Sequence, residues 1–232
     1  MLKIEKTEVV GWEAAIRGMR NPLNSWKKSD SAIINEGGLE PSDIIVEKNG
    51  DEYFVVGEKD QKLATGLRNA GTDHRKFMRM LIVYLDITAP LYWWKEYDTY
   101  KVGTVANSCS TMHKIADKEF TLEDFSCEKL MDNVCADVFQ TKSPLDILYS
   151  TIDMLNLCRK KYLDTKDKHW WWQMIQLLPS SYNQKRTVML NYEVLANIYR
   201  SRRHHKLDEW HTLCDWIEGL PYSELITGKE KR

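Results

Sequence analysis

Apolar positions change their spacing several times along the chain, and each change marks an element. In the first 57 residues, short apolar segments are broken by turn signals at Asn21-Pro22, Gly37-Gly38, Pro41-Ser42 and Asn49-Gly50. The last lies between the β-prone runs IIVEK and EYFVV and predicts a hairpin. Over 58–70, Leu63 and Leu67 fall at helical spacing, and Gly71 follows as a left-handed cap. Residues 80–87 alternate through Ile82 and Tyr84 and predict a strand. Thr88 and Pro90 then open a helix to about Asp98, because a proline in the first turn loses no needed N–H.

Beyond Thr121 the pattern is almost wholly helical. Thr121 and Asp124 are spaced as a capping box, and Ser143-Pro144 opens a further helix. Helices are predicted over about 145–163, 167–178, 185–203 and 208–219. There is no internal repeat and no low-complexity tract. The class expected is α+β, a small sheet with a mostly helical second half, in a single domain of residues 1–232. Within it, a hairpin-containing region covers 1–57 and a core covers 58–219.

Composition removes several function classes. A chain of 232 residues with 43% hydrophobic and 29% charged residues is that of a globular protein with a real core. Its 33 Lys+Arg against 34 Asp+Glu give a net charge of -1, so a nucleic-acid partner is not expected. Asp86 and Lys95 interrupt the best apolar run before it reaches about 18 residues, so no membrane span is expected. Cys109, Cys127, Cys135, Cys158 and Cys214 form no CxxC pair, and the N-terminus is charged, which together predict a reduced, cytoplasmic setting. Of nine Trp, the cluster Trp170-Trp171-Trp172 is the densest and predicts helix packing or a subunit interface.

Two segments carry candidate chemistry. Residues 102–112, VGTVANSCSTM, are small and polar, allowing close backbone approach and offering small donors. Such a loop suits a phosphate or a pyrimidine edge, or is a solvated turn; it matches neither a P-loop nor a Rossmann fingerprint. Cys109 within it is either a reactive thiol or inert packing. Residues 177–210 form the second segment, LLPSSYNQKRTVMLNYEVLANIYRSRRHHKLDEW. In a helix over 185–203, Asn191, Leu195, Ile198 and Arg202 share one face, with Asn197 about 120° from it. Asparagine is unfavourable inside a helix, so two of them imply hydrogen bonds to core, solvent or ligand. Arg200, Arg202, Arg203, His204, His205 and Lys206 close the segment, either complementing a helix dipole or forming an anion site.

Together the two segments resemble the flavin-dependent thymidylate synthases. That family carries the signature RHRxxSxNExSxR, preceded at fixed spacing by an Ala/Cys-Pro that begins a helix. Ala89-Pro90 matches the Ala/Cys-Pro, and Thr99-Tyr100-Lys101 then falls on RHR. Thr104 falls on the first Ser, Ala106-Asn107 on NE, Cys109 on the second Ser and Thr111 on the final Arg; only Lys101 and Thr104 are chemically similar. His74 stands at the spacing of an upstream flavin-touching histidine. Leu178-Pro179, Asn191, Asn197, Arg202, His205 and Trp210 follow the family's downstream pattern, with about one residue inserted before Trp210. The likeness covers roughly Glu58 to Ile217.

The resemblance implies a thymidylate synthase-complementing-protein-like fold and a homotetramer with flavin pockets between subunits, of bacterial or viral origin. It implies that His74, Thr99, Tyr100, Lys101, Asn107, Asn191, Asn197 and His205 contact FAD, and that Glu96, Cys109, Ser110, Thr111 and Arg202 contact the nucleotide dUMP. The activity implied is reductive methylation of dUMP to dTMP, with methylenetetrahydrofolate and NADPH as co-substrates, and no metal or enzymic nucleophile. Thr111 and Ile175 stand where the family places nucleotide-binding arginines, with Arg203, Lys114 and Lys95 as possible replacements. Losing such charge-assisted pairs costs roughly a few kcal/mol. Two alternatives follow: a flavoenzyme of the same fold with another pyrimidine nucleotide, or a non-catalytic nucleotide-binding protein.

Overall fold

A computed structural model describes residues 1–41, 43–133 and 142–228. Ser42 of the Pro41-Ser42 turn, and Cys135, lie outside the described residues. The chain opens with strand β1 (Lys3–Val10) and helix α1 (Trp12–Arg20). Gly11 joins them at φ +95°, where a Cβ would lie 2.2 Å from the Met80 carbonyl oxygen, so only glycine fits. Strands β2 (Ala32–Asn35), β3 (Ile45–Asn49) and β4 (Glu52–Val55) form an antiparallel sheet in the order β2-β4-β3. The expected hairpin is β3-β4, turned one residue further along. Asn49 pairs with Glu52, so the turn is Gly50-Asp51, and Gly50 supplies the positive φ (+62°) that a two-residue hairpin requires. Helix α2 (Glu58–Asn69) ends as expected, with Gly71 at φ +111°.

Strand β5 (Ile82–Pro90) passes directly into helix α3 (Leu91–Tyr97), and β6 (Val105–Ser108) follows. The rest comprises α4 (Pro144–Thr165), α5 (Lys168–Leu177), β7 (Asn183–Asn191), α6 (Tyr192–Arg202), α7 (Asp208–Glu218) and α8 (Glu224–Thr227). A four-stranded sheet has the order β1-β5-β7-β6. The fold is α+β, with small sheets and a helix-rich second half.

Three expectations are corrected. The helix expected over 185–203 is a strand to Asn191 and a helix only from Tyr192. Burial in β7 alternates, with Gln184, Val188 and Leu190 inside and Lys185 and Thr187 outside, the period of a strand. The loop over 102–112 contains β6, an edge strand whose four residues are all exposed. The Thr121–Asp124 capping box exists but closes only a 3-10 turn, Leu122–Asp124, so the chain past Thr121 is less helical than expected. The helix expected from Ser143-Pro144 does start at Pro144, and a capping box holds it: the Ser143 hydroxyl accepts the Asp146 amide at 3.0 Å.

Packing divides the chain into two compact units. The first comprises Met1–Ile4, Ile87–Thr99 and Asn107–Thr187. Its core sets Leu148, Ile152 and Leu155 of α4 with Met174 of α5 and with Phe120 and Phe125. Trp170 and Trp171 pack against this core, as expected of the tryptophan cluster, while Trp172 is exposed. The second unit comprises Glu5–Asp86, Tyr100–Ala106 and Val188–Arg232. There Trp12, 1% exposed, meets the rings of Tyr192 at 5.6 Å and Tyr222 at 5.3 Å.

The second unit also buries a carboxylate. Asp60 on α2 is 0% exposed and pairs with the Arg20 guanidinium of α1. It accepts the hydroxyls of Ser29 (2.6 Å) and Ser31 (2.7 Å) and the amides of Asp30 and Ser31 (both 3.1 Å). Burial alone pushes this carboxyl up, but these donors outweigh it and hold it below the ordinary carboxylate range. A carboxyl lowered by folding stabilises the protein above its unfolded pKa of about 3.9 and loses that contribution as pH falls through the lower folded value. Asp60→Ala leaves Arg20 buried and uncompensated, and should cost about 3–5 kcal/mol in urea unfolding at pH 7. In the same assay, Asp60→Asn should flatten the loss of stability below about pH 4.

Candidate functional site

Strand β7 becomes helix α6 with no intervening loop, and Asn191 makes the turn. Its backbone is extended, and its side-chain oxygen accepts the Val194 amide at 3.0 Å, the N-cap bond that starts α6. Asn191 is therefore not inside a helix, and its presence needs no ligand to explain it. Gly103 lies against it: a Cβ there would be 3.0 Å from Asn191 Nδ2 and 3.3 Å from Val194 Cγ2, and φ is +75°. The Thr104 hydroxyl donates to the Tyr100 carbonyl and closes this turn. Asn197 does lie within α6, partly buried.

The end of α6 gathers several expected residues. The Arg202 guanidinium lies 4.7 Å from the Trp210 ring centre and 5.6 Å from that of Tyr100. Arg202 Nε donates to the Tyr100 hydroxyl at 2.9 Å. His205 packs edge-on to Trp210 at 6.3 Å, and its Nδ1 accepts the Leu207 amide at 3.2 Å. Tyr100, Arg202, His205 and Trp210 thus form one cluster, and Lys101 is exposed beside Tyr100 in the chain.

The other expected flavin residues of this unit occupy two cavities. His74 is exposed, heads the 3-10 turn Arg75–Arg79, and lines an apolar cavity of about 680 Å³ with Met19, Leu23, Leu67, Phe77 and Met80. Asn197 lines a different cavity, of about 330 Å³, with Arg68, Arg75, Arg200 and Arg203. His74, Asn191 and Asn197 therefore do not meet in one cavity of the chain.

In the first unit, backbone pairing continues past β6. The Cys109 amide donates to the Lys185 carbonyl at 2.9 Å, and Gln184 Nε2 donates to the Cys109 carbonyl at 2.8 Å. The Ser110 hydroxyl accepts the His113 amide at 3.0 Å. This pinning brings Cys109, Ser110 and Thr111 together on a cavity of about 560 Å³. Phe120 and Tyr182 form an aromatic wall, 6.3 Å apart between ring centres. Burial, then the charges of Asp124 and Cys109, push the Tyr182 hydroxyl up, so it stays protonated.

Lys114 and Lys118 line the same cavity, each paired with a carboxylate: Lys114 with Asp117 at 2.9 Å, Lys118 with Asp124. The hydrogen bond and charge of Asp117 hold the Lys114 ammonium above its ordinary range. Both lysines are exposed, but only the Lys114–Asp117 pair is exposed on both sides and worth about 0–1 kcal/mol, so an incoming anion can replace Asp117. Asp124 is 11% exposed and also accepts the Thr121 amide. Asn183 also lines the cavity. Its Oδ1 accepts the Ser126 hydroxyl at 2.8 Å, while its buried Nδ2 has no hydrogen-bond partner among the described residues. Sequence reasoning missed Lys118, and it passed over Tyr182 and Asn183, which lie between Leu178-Pro179 and Asn191 but match no position of the family's pattern.

The remaining expected residues lie apart. Asn107 is exposed on β6. Glu96 and Thr99 end α3, where the Thr99 hydroxyl donates to the Glu96 carbonyl at 2.7 Å, and neither lines the cavity of Thr111. Ile175 packs on the apolar core of α4 and α5. Of the possible replacements for the missing arginines, Lys114 shares the cavity of Thr111, whereas Lys95 does not, and Arg203 lines the Asn197 cavity. Among the described residues no group of three or more His, Cys, Asp or Glu is placed to hold a metal, and no helix is long and apolar enough to cross a membrane.

No protein-family model and no curated protein matches the sequence. Solved structures match in fold. Thymidylate synthase X (ThyX) from Helicobacter pylori, crystallised with FAD and dUMP, is 15% identical over 98% of each chain, with a TM-score of 0.64. A second Helicobacter pylori structure, described as the flavin-dependent thymidylate synthase ThyX complexed with FAD and dUMP, is 15% identical over 99% of this chain and 100% of that one, TM-score 0.65. The UMP/dUMP methylase PolB from Streptomyces cacaoi, bound with 5-Br dUMP, is 11% identical over 98% of this chain and 95% of that one, TM-score 0.56. At this identity the likeness is one of fold: the chain has the fold of the flavin-dependent thymidylate synthases.

The N-cap geometry separates a structural from a ligand role for Asn191. Asn191→Ala should cost about 1 kcal/mol of stability in thermal or urea unfolding of the ligand-free protein, and Asn191→Asp should restore most of it. Equal stability of Asn191→Ala and wild type would contradict the capping role.

Proposed function

We propose that the protein is a flavin-dependent enzyme acting on a pyrimidine nucleotide, and specifically an FAD-dependent thymidylate synthase that methylates dUMP to dTMP. Methylenetetrahydrofolate and NADPH are its co-substrates, and it works as a cytoplasmic homotetramer. The observation that carries the proposal is the cavity that collects Cys109, Ser110 and Thr111. It combines an aromatic wall, an amide donor with no partner and lysines, the complement of a planar base with carbonyl oxygens and a phosphate. The fold shared over nearly the whole of both chains with proteins crystallised with FAD and dUMP supports the same class.

In this assignment Phe120 and Tyr182 face the base, Asn183 Nδ2 donates to a base carbonyl, and Lys114 exchanges its exposed carboxylate partner for the phosphate, with the charge of Lys118 beside it. Arg202, held by Tyr100 and Trp210, contributes to nucleotide recognition. The residues present also fit a phosphorylated cofactor, since Asn197 lies in a cavity ringed by arginines. When bound, FAD supplies the hydride. Orientation and charge are the chain's own contributions.

A second assignment, a flavoenzyme modifying another pyrimidine nucleotide, is favoured by one feature. Thr111 and Ile175 replace expected arginines, and Ile175 packs partly buried against the apolar core of α4 and α5. The likeness to a UMP/dUMP methylase supports it.

Purified protein should be yellow, or become so with FAD; a colourless protein that cannot be reconstituted sinks both assignments. Tritium release from C5-labelled dUMP with methylenetetrahydrofolate and NADPH tests the first, and flavin binding without release favours the second. Lys114→Ala with Lys118→Ala should raise the KM for dUMP roughly ten- to hundredfold, the worth of one charged hydrogen bond. His74→Ala and Asn197→Ala should each lower flavin occupancy. Arg202→Ala should spare flavin and weaken nucleotide binding, and unchanged nucleotide affinity would refute its role.

A further inference from the structure

We propose that Arg68, Arg75, Arg200 and Arg203 form a binding site for a diphosphate or longer polyphosphate group. The four side chains line the cavity of about 330 Å³ that also holds Asn197, and no Asp or Glu lines it. They converge from separate elements: Arg68 from the last turn of α2, Arg75 from the following 3-10 turn, and Arg200 and Arg203 from the end of α6. A helix dipole accounts for arginines at the end of α6. It does not account for two more brought to face them from elsewhere.

Arg68 is fixed in place. Its Nε donates to the Leu225 carbonyl at 3.2 Å and its Nη1 to Asn69 at 3.0 Å. Gly228 packs so closely that a Cβ there would lie 2.3 Å from the guanidinium. The Arg75 side chain is 15% exposed, and its Nε is buried without a hydrogen bond, 3.5 Å from Glu193 Oε1. Glu193 is held more closely by Arg79, so one carboxylate serves two guanidiniums. No described carboxylate pairs with Arg68, Arg200 or Arg203. Glu224, on α8, accepts from Gln61 at 3.0 Å.

Burial and then the charge of Arg75 lower the Arg68 pKa, as expected where cations are gathered without counter-charge. An anion in the cavity removes that repulsion. Planar guanidinium forks match phosphate oxygens two at a time, and several forks around one cavity suit a group with several charged oxygens better than a monophosphate. Arg203 lies 5.2 Å over the Tyr199 ring, which orients its fork.

The site recognises a polyphosphate group whichever molecule carries it; only its assignment to the flavin diphosphate rests on the flavoenzyme proposal. The other source is a free nucleotide polyphosphate. Titration calorimetry of inorganic pyrophosphate into full-length protein, flavin-free and flavin-loaded, separates the two. Pyrophosphate should bind the flavin-free protein, weaken with added salt, and bind at least tenfold more weakly to Arg200→Ala/Arg203→Ala, whose exposed positions leave the fold intact by circular dichroism. If the flavin is the source, pyrophosphate should compete with FAD but not with FMN. If a free polyphosphate is the source, loading with FAD should leave pyrophosphate binding unchanged. Absence of pyrophosphate binding to flavin-free wild type, or equal binding to the folded double variant, overturns the proposal. Protein that takes up no flavin yet binds pyrophosphate through these arginines refutes the flavoenzyme proposal alone.

Discussion

The hydrogen bond from the Val194 amide to Asn191 sets the geometry of every candidate residue on α6. It determines which residue is the first of the helix, and a helix rotates by about 100° per residue. With the start at Tyr192, Leu195 and Ile198 turn inward and are 0% exposed. Asn197 and Arg200 then line one cavity, while Arg202 turns to Tyr100 and Trp210. Arg202 and Arg203 are neighbours in sequence with different surroundings, one stacked on two rings and the other facing the arginine cavity. A start one residue later would put Arg203 where Arg202 stands and His204 where Arg203 stands.

Charge is handled in three ways, and the contrast separates scaffold from site. Asp60 is fully buried and surrounded by donors until its carboxylate is satisfied, which ties α1, the 29–31 segment and α2 together. Lys114 carries an exposed, weak pair with Asp117 that exchanges readily. Arg68 and Arg75 are partly buried beside each other with too few acceptors. The first arrangement adds stability, and the other two leave interactions for something else to complete.

Much of the fold was legible in the sequence because its signals are local. Asn49-Gly50, Gly71, Pro90 and Ser143-Pro144 each fix backbone geometry within a few residues, and the hairpin, α2, α3 and α4 form at these signals, with the hairpin turn one residue later and Pro90 capping α3 rather than lying in its first turn. Strand β7 was not legible. The apolar positions of VMLNYEVL satisfy a helical spacing as well as an alternating one, and the choice depends on neighbours distant in sequence. The site follows the same division. Cys109, Ser110 and Thr111 line one cavity, as contiguous residues readily do, and Arg202, Tyr100, His205 and Trp210 cluster. Within one chain His74 and Asn197 line different cavities, and Asn191 caps α6, an arrangement not legible while one helix was expected to carry both asparagines. Asn183, Tyr182, Arg68 and Arg75 belong to no motif, and only folding brings them to their cavities.

Strand β6 offers its backbone to the sheet and its side chains to solvent. Substitutions at such positions usually change stability by less than about 0.5 kcal/mol. Of the positions that differ from the thymidylate synthase signature, Tyr100 outside this strand is held by Arg202, whereas Ala106 and Asn107 lie on it, and the scaffold barely constrains their side chains. Selection for folding is nearly silent there, and only selection for what the loop touches can hold its sequence. Signature and architecture can therefore part: a chain can have the fold of the flavin-dependent thymidylate synthases while residues on an exposed strand depart from their signature.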